Sequence, residues 1–534
     1  MAMPVDPVLF HRSTHARLTR RQLLDIAWKA GVAAAAAPVV SSRVFAQMAF
    51  QAYPFTLGVA SGDPWPDGVV LWTRLAPEPL GDGGMPMAAV EVGWQVAADR
   101  AFRTIVQQGT TVARPELGHS VHVEVDGLAP GREYFYRFRA GRELSQVGRT
   151  VMAPALGTAV DRLRFGVCGC SHYEHGLFTA YRHIARQQFD FVFHTGDYIY
   201  EGRANNGQND PRVREHAGHE IYSLVDYRRR YAQYRMDADL RAAHASAPFI
   251  VTWDDHEVDN DYAGDRDESD DTPPALFLLR RAAAYQAYYE AMPMRATSLP
   301  SGPDMRLYRS FAFGSLLDLS ALDTRQYRSD QACGGGSATA CAAATDPART
   351  MLGSDQEAWL FDRLGQARAT WTVLGQQVPT FARDYVGTAP DGRFQMDKWD
   401  GYTAARDRLF ARIVETRAAN PVILSGDVHV HYAADLRRDF TRPESPVIGV
   451  ELTNSSITSN GDGAEHAADW ATLQQHNPHL RFHSARRGYI ACTVTPSELR
   501  ADFQVVDRVT TPGAPERTAG RWVVEAGRPG LVAG

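Results

Sequence analysis

After residue 155 the chain alternates between short apolar runs and segments of helical periodicity. The apolar runs Leu163–Val167, Phe189–Thr195, Phe249–Trp253 and Val422–Leu424 are rich in β-branched and aromatic residues. Runs of this length between turn residues are typical of buried strands. The helical segments are residues 177–187, 226–245, 272–292, 354–367 and 403–416. The alternation predicts an α/β domain over residues 160–505, with helices outside one or two central sheets.

Residues 50–155 have a different pattern, in which short β-forming runs are separated by turns rich in Pro, Gly and Asp. The clearest runs are Gly68–Trp72, Val90–Gln95, Val121–Val125 and Tyr134–Arg139. Strands at this spacing predict a β-sandwich of the immunoglobulin or fibronectin type. No titratable cluster accompanies the strands, so we expect a structural role for this domain. The C-terminal segment, residues 506–534, is expected to be a lid over the site or a tail.

The first 46 residues resemble an export signal. Residues 19–24, TRRQLL, form a twin-arginine pattern, and an alanine-rich apolar stretch follows from Ile26 to Val40. Val44, Phe45 and Ala46 provide a cleavage site before Gln47. The combination predicts a twin-arginine translocase (Tat) signal over residues 1–46, and the alternative is an amphipathic helix with a chance arginine pair. We expect a soluble protein in the periplasm or outside the cell, with the Tat translocase as its partner during export.

Composition and cysteine usage narrow the class of protein. The chain has 534 residues, more than one typical domain, and its net charge of −6 argues against nucleic-acid or anionic-membrane partners. Cys333 and Cys341 bracket a glycine- and alanine-rich loop, which predicts a disulfide in an oxidising compartment. Cys168 and Cys170 form a C-x-C at a strand end, and Cys492 is expected to be a buried apolar residue.

Titratable residues follow four of the predicted strands, at the point where each strand ends. In chain order they are Cys170; Asp197 and Tyr200; Asp254, Asp255, His256 and Glu257; and Asp427 and His429. A single cluster of this kind is often only a turn. Four clusters with these side chains together provide the types of ligand found in metal sites, and they place them at the strand ends. Carboxylates suit a hard divalent cation, whereas thiolate, phenolate and imidazole suit iron or another transition metal. A bridging carboxylate such as Asp197 would let two ions stabilise a displacement at phosphorus.

Five motifs in order resemble the PhoD family of alkaline phosphatases, within the calcineurin-like metallophosphoesterase superfamily. They are GDYIY (196–200), WDDHEVDN (253–260), DTRQYR (323–328), VLGQQ (373–377) and SGDVH (425–429). The stretch FTLGVASGDP (55–64) is similar to the start of the family's N-terminal β domain, and a Tat signal is usual in the family. The resemblance implies an α/β sandwich of two β-sheets flanked by helices, preceded by an all-β domain.

The resemblance also implies a centre of Fe³⁺ and Ca²⁺. On the iron side it implies Cys170 as the thiolate ligand, with Cys168 as a second candidate, Asp197 as the bridging carboxylate, Tyr200 as the phenolate and His429 as the imidazole. On the calcium side it implies Asp427 and Asp255, with Asp254 as a weaker candidate. Gln377 stands where the superfamily often has a metal-binding histidine, and its direct ligation is left open.

The function implied is that of a secreted phosphoester hydrolase, an alkaline phosphatase acting on small monoesters or diesters through a metal-activated hydroxide. His256 matches the histidine near the leaving group, where a protonated imidazole acts as general acid. Arg325 is expected either to clamp the phosphate or to form a structural ion pair with Asp323. The alternatives are a phospholipase D-type phosphodiesterase on the same fold and a catalytically silent secreted metal-binding protein. We expect a monomer.

Overall fold

Two large β-sheets are the centre of the fold in the computed structural model, which describes residues 50–205, 212–387 and 392–534. The first sheet has ten strands in the order β24-β23-β22-β21-β9-β10-β11-β1-β2-β5. These strands are β1 (Val59–Gly62), β2 (Gly68–Arg74), β5 (Ser120–Asp126), β9 (Leu163–Cys168), β10 (Phe191–His194), β11 (Pro248–Val251), β21 (Gly488–Val494), β22 (Glu498–Val506), β23 (Glu516–Glu525) and β24 (Arg528–Ala533). The neighbours β9, β10, β11 and β1 run parallel, and the other pairings are antiparallel.

The second sheet has seven strands in the order β12-β13-β15-β17-β19-β18-β20. They are β12 (Arg309–Phe313), β13 (Leu317–Ala321), β15 (Trp371–Gly375), β17 (Pro421–Ser425), β18 (His431–Arg437), β19 (Val447–Thr453) and β20 (Leu480–Ser484). Its central strands β13, β15, β17 and β19 are parallel. A separate hairpin-like pair consists of β14 (Ser337–Thr339) and β16 (Arg393–Gln395).

Helices cover the outer faces of both sheets. The α-helices of the described residues are α1 (Thr179–Arg186), α2 (Leu224–Arg235), α3 (Ala238–His244), α4 (Pro274–Ala291), α5 (Gly353–Gln366), α6 (Thr403–Thr416) and α7 (Trp470–His476). Side chains of α1–α4 share one apolar core with the first sheet, and those of α5–α7 share another with the second sheet. A third core, which includes Phe165, Phe193, Val373 and Leu424, lies between the sheets. The two-sheet sandwich flanked by helices is therefore confirmed.

Residues 50–155 are all-β, as predicted, and they contribute to two different sheets. The strands β3 (Val90–Ala97), β4 (Ile105–Ala113), β6 (Glu133–Ala140), β7 (Glu143–Leu144) and β8 (Gly148–Val151) form a five-stranded sheet. In contrast, β1, β2 and β5 extend the first large sheet beyond β11, with Ser61 of β1 opposite Pro248 of β11. The residue pattern of a strand does not reveal its pairing partner, so the sequence could not separate the two groups.

Three further expectations can be compared with the structure. The disulfide between Cys333 and Cys341 is confirmed. The single helix predicted over residues 226–245 is instead two helices, because the Asp237 carboxylate accepts hydrogen bonds from the amides of Asp239 and Leu240 and so caps α3. Much of the C-terminal segment, expected as a lid or a tail, forms β23 and β24 at the edge of the first sheet.

The predicted export signal, residues 1–46, lies outside the described residues. Within the described ranges, the helices are too short or too polar to cross a bilayer.

A buried ion pair connects the N-terminal module to the second sheet. Asp63 follows β1 in the motif FTLGVASGDP and is 1 % exposed. The Arg309 guanidinium donates to both Asp63 carboxylate oxygens, over 2.8–3.1 Å, and to the carbonyl of Val251 at the end of β11. The pair therefore stabilises the junction of β1, β11 and β12.

The glycines before two candidate metal ligands allow the ends of the strands to pack against one side chain. A Cβ added at Gly169 would lie 2.2 Å from Thr195 Oγ1, and one added at Gly426 would lie 2.4 Å from the same atom. Gly169 precedes Cys170, and Gly426 precedes Asp427. The Thr195 side chain thus sets the separation of these two residues across the two sheets.

We expect Asp63→Ala to lower the free energy of unfolding by about 3 kcal/mol, because it leaves the Arg309 guanidinium without its carboxylate. The double variant Asp63→Ala/Arg309→Met should recover much of this loss, since it removes the unpaired charge as well. Denaturant unfolding of the two variants measures both effects. Equal losses in the single and the double variant would contradict the prediction.

We expect Gly426→Ala to lower the free energy of unfolding by about 1–3 kcal/mol, since the new methyl group overlaps Thr195 Oγ1. Adding Thr195→Ala should restore part of this loss, because the overlapping hydroxyl is then absent and the two sites are in contact. Thr195→Ala alone is the control. A Gly426→Ala variant as stable as the unmodified protein would show that the strand ends can separate without cost.

Candidate metal centre

The candidate ligands lie where parallel strands of the two sheets end. Cys170 lies two residues beyond β9, Asp197 three residues beyond β10, and Asp254 three residues beyond β11. Because these strands are parallel neighbours, their carboxyl ends meet at one edge of the first sheet. Asp427 and His429 follow β17, a central strand of the second sheet. The candidate site therefore spans the carboxyl edges of both sheets.

The ligand atoms fall into three overlapping groups, and in each group all of them lie within 4.8 Å of one another. The groups are Cys170, Asp197 and His429; Asp197, Asp255 and His256; and Asp254, Asp255 and Asp427. Asp197 belongs to the first two groups, and Asp255 belongs to the second and third. The shared carboxylates thus connect the thiol at one end of the site to Asp427 at the other.

Tyr200 belongs with the first group. Its hydroxyl donates to Asp197 Oδ2 at 2.8 Å and lies 3.1 Å from His429 Nε2. Ser459 Oγ is 2.6 Å from the same hydroxyl. Ser459 was not identified from the sequence, because its segment carries no chemical motif and approaches the site only through the tertiary fold.

The structure distinguishes the alternatives left open for Cys168 and Gln377. Cys168 is the last residue of β9 and lies in the apolar core, outside the three ligand groups, whereas Cys170 belongs to the first of them. The Gln377 amide oxygen accepts hydrogen bonds from the Thr324 amide and hydroxyl, and its nitrogen donates to the Leu322 carbonyl. The Gln377 side chain is thus held by its own neighbours.

Four of the candidate ligands have left-handed backbone conformations. The φ angles are 57° at Cys170, 52° at Asp197, 69° at Asp427 and 56° at His429. Such angles cost on the order of 1–3 kcal/mol each for residues other than glycine and are concentrated at functional sites. All four residues with these turns are thus candidate ligands or belong to the loops that carry them.

Arg325 does not face the cleft as a phosphate clamp would. Its side chain is fully buried and forms ion pairs with four carboxylates, those of Asp254, Asp255, Asp397 and Asp427. The expected ion pair with Asp323 is not formed either, since Asp323 accepts from the backbone amide of Arg325. We therefore reassign Arg325 to holding the carboxylates of the third ligand group in position.

A second cation contacts the same carboxylates. Lys398 Nζ lies 2.7 Å from Asp397 Oδ2 and also pairs with Asp427 Oδ2. Arg328 pairs with Asp397 from the other side. Asp397 and Lys398 were not identified from the sequence, because an Asp-Lys pair in a loop is indistinguishable from an ordinary surface pair.

Two glutamates next to the predicted ligands hold the site together. The Glu257 carboxylate accepts hydrogen bonds from the amides of Asp197, Tyr198 and Asp254, and so joins the loops after β10 and β11. Glu201 Oε2 lies 2.7 Å from His256 Nδ1. Glu257 stands within the motif WDDHEVDN and Glu201 directly follows the motif GDYIY, so their position beside His256 and Tyr200 was the available signal.

Burial and nearby charges are the main causes of the shifted pKa values at the candidate site. Burial, with the added effect of Asp255 and Asp427, raises the pKa of Asp197 to about 8 against the opposing effect of His256. Burial also raises the pKa values of the Cys170 thiol and the Tyr200 phenol well above their ordinary values. Burial lowers the pKa of His256, but Glu201 and Asp197 outweigh it and raise that pKa well above its ordinary value. The protein alone thus favours a neutral thiol and phenol beside a charged imidazole.

A cleft of about 460 Å³ opens beside the ligand groups. The end near the ligands is lined by Tyr200, His256, His429 and Ser459, and the rest of the wall includes three further histidines, His172, His175 and His216. Carboxylates and arginines also line the cleft. A substrate in this cleft would have its reacting group next to the candidate ligands.

Comparison with known proteins agrees with this geometry. The PhoD-like phosphatase family matches residues 165–503, and the PhoD-like phosphatase N-terminal domain matches residues 39–154. Alkaline phosphatase D of Bacillus subtilis (strain 168) is 51% identical over 483 residues, which are 90% of this chain and 82% of that protein. The solved structure described as "Structure of PhoD" superposes with a TM-score of 0.89 at 50% identity, covering 91% of this chain and 93% of that chain. The chain therefore belongs to the PhoD-like phosphatase family.

Proposed function

We propose that this protein hydrolyses small phosphoric esters at a centre of iron and calcium formed by the three ligand groups. As a PhoD-like phosphatase, the chain is a phosphoester hydrolase. The observation that carries the proposal is the sharing of Asp197 and Asp255 between ligand groups, because shared carboxylates are what two adjacent ions require.

The residues present fit a pair of metal ions. Asp197 Oδ1 and Asp254 Oδ2 are buried and have no hydrogen-bond partner among the described residues, which is costly unless a cation contacts them. Cys170, Tyr200 and His429 offer the softer donors that suit iron, with Asp197 as the bridge. Asp255 and Asp427, with Asp254 beside them, offer the carboxylate oxygens that suit calcium.

The balance of charge supports the same proposal. The carboxylates of this network are Asp197, Asp254, Asp255, Asp397 and Asp427, and the cations paired with them are Arg325, Arg328 and Lys398. Ionised Cys170 and Tyr200 would add two further negative charges. Seven negative groups against three protein cations leave an excess of four negative charges, which the five positive charges of a trivalent and a divalent cation would offset.

The protein side chains have distinct parts in the reaction. Bound ions would supply Lewis acidity toward the phosphoryl group and would activate water. His256, held by Glu201 through Nδ1, presents Nε2 to the cleft and donates a proton to the leaving oxygen. Arg325 and Lys398 position the carboxylates, and Ser459 orients the Tyr200 hydroxyl. His256 is thus the general acid, and Glu201 is a positioning residue.

We also propose that the protein is exported by the Tat translocase to the periplasm or beyond. The support is the twin-arginine pattern of residues 19–24 with the apolar stretch and cleavage site after it. The disulfide between Cys333 and Cys341 agrees with an oxidising compartment. The described cleft residues are polar, and they give no reason to prefer a phospholipid over a soluble ester.

Elemental analysis of protein purified without chelators tests the metal assignment. We expect iron together with calcium in the unmodified protein, and the loss of both metals and of activity in Asp197→Asn, since Asp197 would bridge them. Asp259→Asn is a matched control, because Asp259 lines the same cleft but lies outside the ligand groups. Two zinc ions in place of iron and calcium, or full metal content in Asp197→Asn, would contradict the assignment.

His256→Ala should retain both metals. Its loss of activity should depend on how much the leaving group needs a proton. We expect kcat for an alkyl phosphate such as glycerol phosphate to fall by about 10²- to 10⁴-fold, because general acid catalysis is lost. For p-nitrophenyl phosphate, whose leaving group needs no proton, the loss should be much smaller. Glu201→Gln should show an intermediate loss of kcat, again larger for glycerol phosphate than for p-nitrophenyl phosphate. Equal losses for both substrates, or loss of metal from His256→Ala, would show that His256 is not the general acid.

A further inference from the structure

The wall of the cleft contains histidines that the proposed hydrolysis does not use. The His172 and His175 rings are stacked, with centroids 3.5 Å apart and an interplanar angle of 4°. The His172 ring also contacts the Tyr200 ring at 4.4 Å, and the Tyr200 ring contacts His256 at 4.1 Å. His172 and His256 therefore flank the tyrosine whose hydroxyl reaches the ligand groups.

Among the residues that the structure describes, these histidines do not form a further metal-ligand group. None of the three ligand groups includes His172, His175 or His216. Moreover, Nδ1 of His172 accepts a hydrogen bond from the Glu174 amide at 3.3 Å, and Nδ1 of His175 accepts one from the Asn460 amide at 3.1 Å. A nitrogen that accepts from an amide has no lone pair left for a metal ion.

The same two hydrogen bonds fix the tautomer of each ring. Because Nδ1 of His172 is an acceptor, the ring is neutral and carries its proton on Nε2. The backbone holds the residue as well: the His172 amide donates to Ser459 Oγ, and its carbonyl accepts from Thr458 Oγ1. Within the described ranges, no group is hydrogen bonded to His172 Nε2, and the residue lines the cleft. His172 thus presents a pre-oriented N–H donor without a charge.

The chemistry of the cleft limits what this donor can bind. The rest of the lining carries both signs of charge, with Glu174, Glu220, Asp259 and Glu268 beside Arg203 and Arg212, so it does not select for a second anionic group on the substrate away from the candidate ligands. A neutral donor close to Tyr200 instead suits an oxygen of the reacting group itself. Such preorganised donors stabilise charge on a phosphoryl group at little cost in reorganisation.

We propose that His172 Nε2–H donates a hydrogen bond to a non-bridging phosphoryl oxygen of the bound ester, on the side of Tyr200 opposite His256. The His175 ring only stacks on the His172 ring. His172 is thus a substrate-binding residue in addition to the metal ligands and the general acid. This assignment rests on the proposed phosphoester hydrolysis.

Binding of inorganic phosphate to the metal-loaded protein tests the proposal independently of turnover. His172→Phe keeps an aromatic ring for the stack but removes the N–H, and we expect it to weaken phosphate binding and raise KM by about ten- to a hundredfold. His172→Gln restores a donor and should lose about threefold or less. His175→Phe is the matched control, which keeps the stack and leaves His172 in place, and it should also lose about threefold or less. Calorimetry with phosphate, KM for p-nitrophenyl phosphate and elemental analysis are measured on each variant.

Three results would overturn the proposal. Phosphate binding by His172→Phe within twofold of the unmodified protein would show that the donor does not contact the phosphoryl group. Equal losses in His172→Phe and His172→Gln would show that the imidazole acts through its shape. Loss of iron from His172→Phe would assign His172 to the support of the metal centre. If the unmodified protein binds phosphate but hydrolyses no ester, the proposed function is wrong. The binding data of the variants then decide alone whether His172 contacts the phosphoryl group.

Discussion

The repulsion among buried carboxylates at the edges of the two sheets is the constraint on which this structure depends. Asp197, Asp254, Asp255 and Asp397 are each at most 2 % exposed, and Asp427 lies beside them. In a medium of low dielectric constant, such a set is stable only if opposite charges lie within a few ångströms. Arg325, Arg328 and Lys398 supply part of that charge from the protein itself. The remaining repulsion is relieved by protons or by bound cations, so the raised pKa of Asp197 and any affinity of the site for cations have the same origin.

The backbone is built to keep these charges in place. Glu257 joins the loops after β10 and β11 through three amide hydrogen bonds, and Thr195 separates the loops that carry Cys170 and Asp427. Cys170, Asp197, Asp427 and His429 occupy left-handed conformations that the surrounding contacts must enforce. Strain and charge repulsion would both relax if the strand ends separated. The extended apolar core between the sheets is therefore a condition for the site, since it keeps the two edges at a fixed distance.

The sequence predicted the features that depend on local pattern. Strand ends indicate Cys170, Asp197, Asp255, Asp427 and His429 as candidates, because the parallel strands of each sheet bring their carboxyl ends to one edge of that sheet, and family motifs point to Tyr200 and His256. It could not predict pairings between distant segments: β1, β2 and β5 join the first sheet, and the C-terminal strands complete its other edge. The partners of Arg325 were not predicted either, because they too lie far away along the chain. Its partners Asp254, Asp397 and Asp427 come from three loops, and the nearby Asp323 was the visible candidate in the chain.

The two walls of the cleft differ in the charge that they present, and this difference follows from hydrogen bonding. On one side of Tyr200, His256 has a carboxylate partner in Glu201, which favours the protonated ring that a general acid needs. On the other side, His172 and His175 have backbone amides as partners, which favour neutral rings with a fixed N–H. The residue type is the same on both sides, so the partner of Nδ1 distinguishes the two rings. In the proposed reaction, the carboxylate at Nδ1 would make His256 a proton donor to the leaving group, whereas the amide at Nδ1 would make His172 a hydrogen-bond donor that keeps its proton.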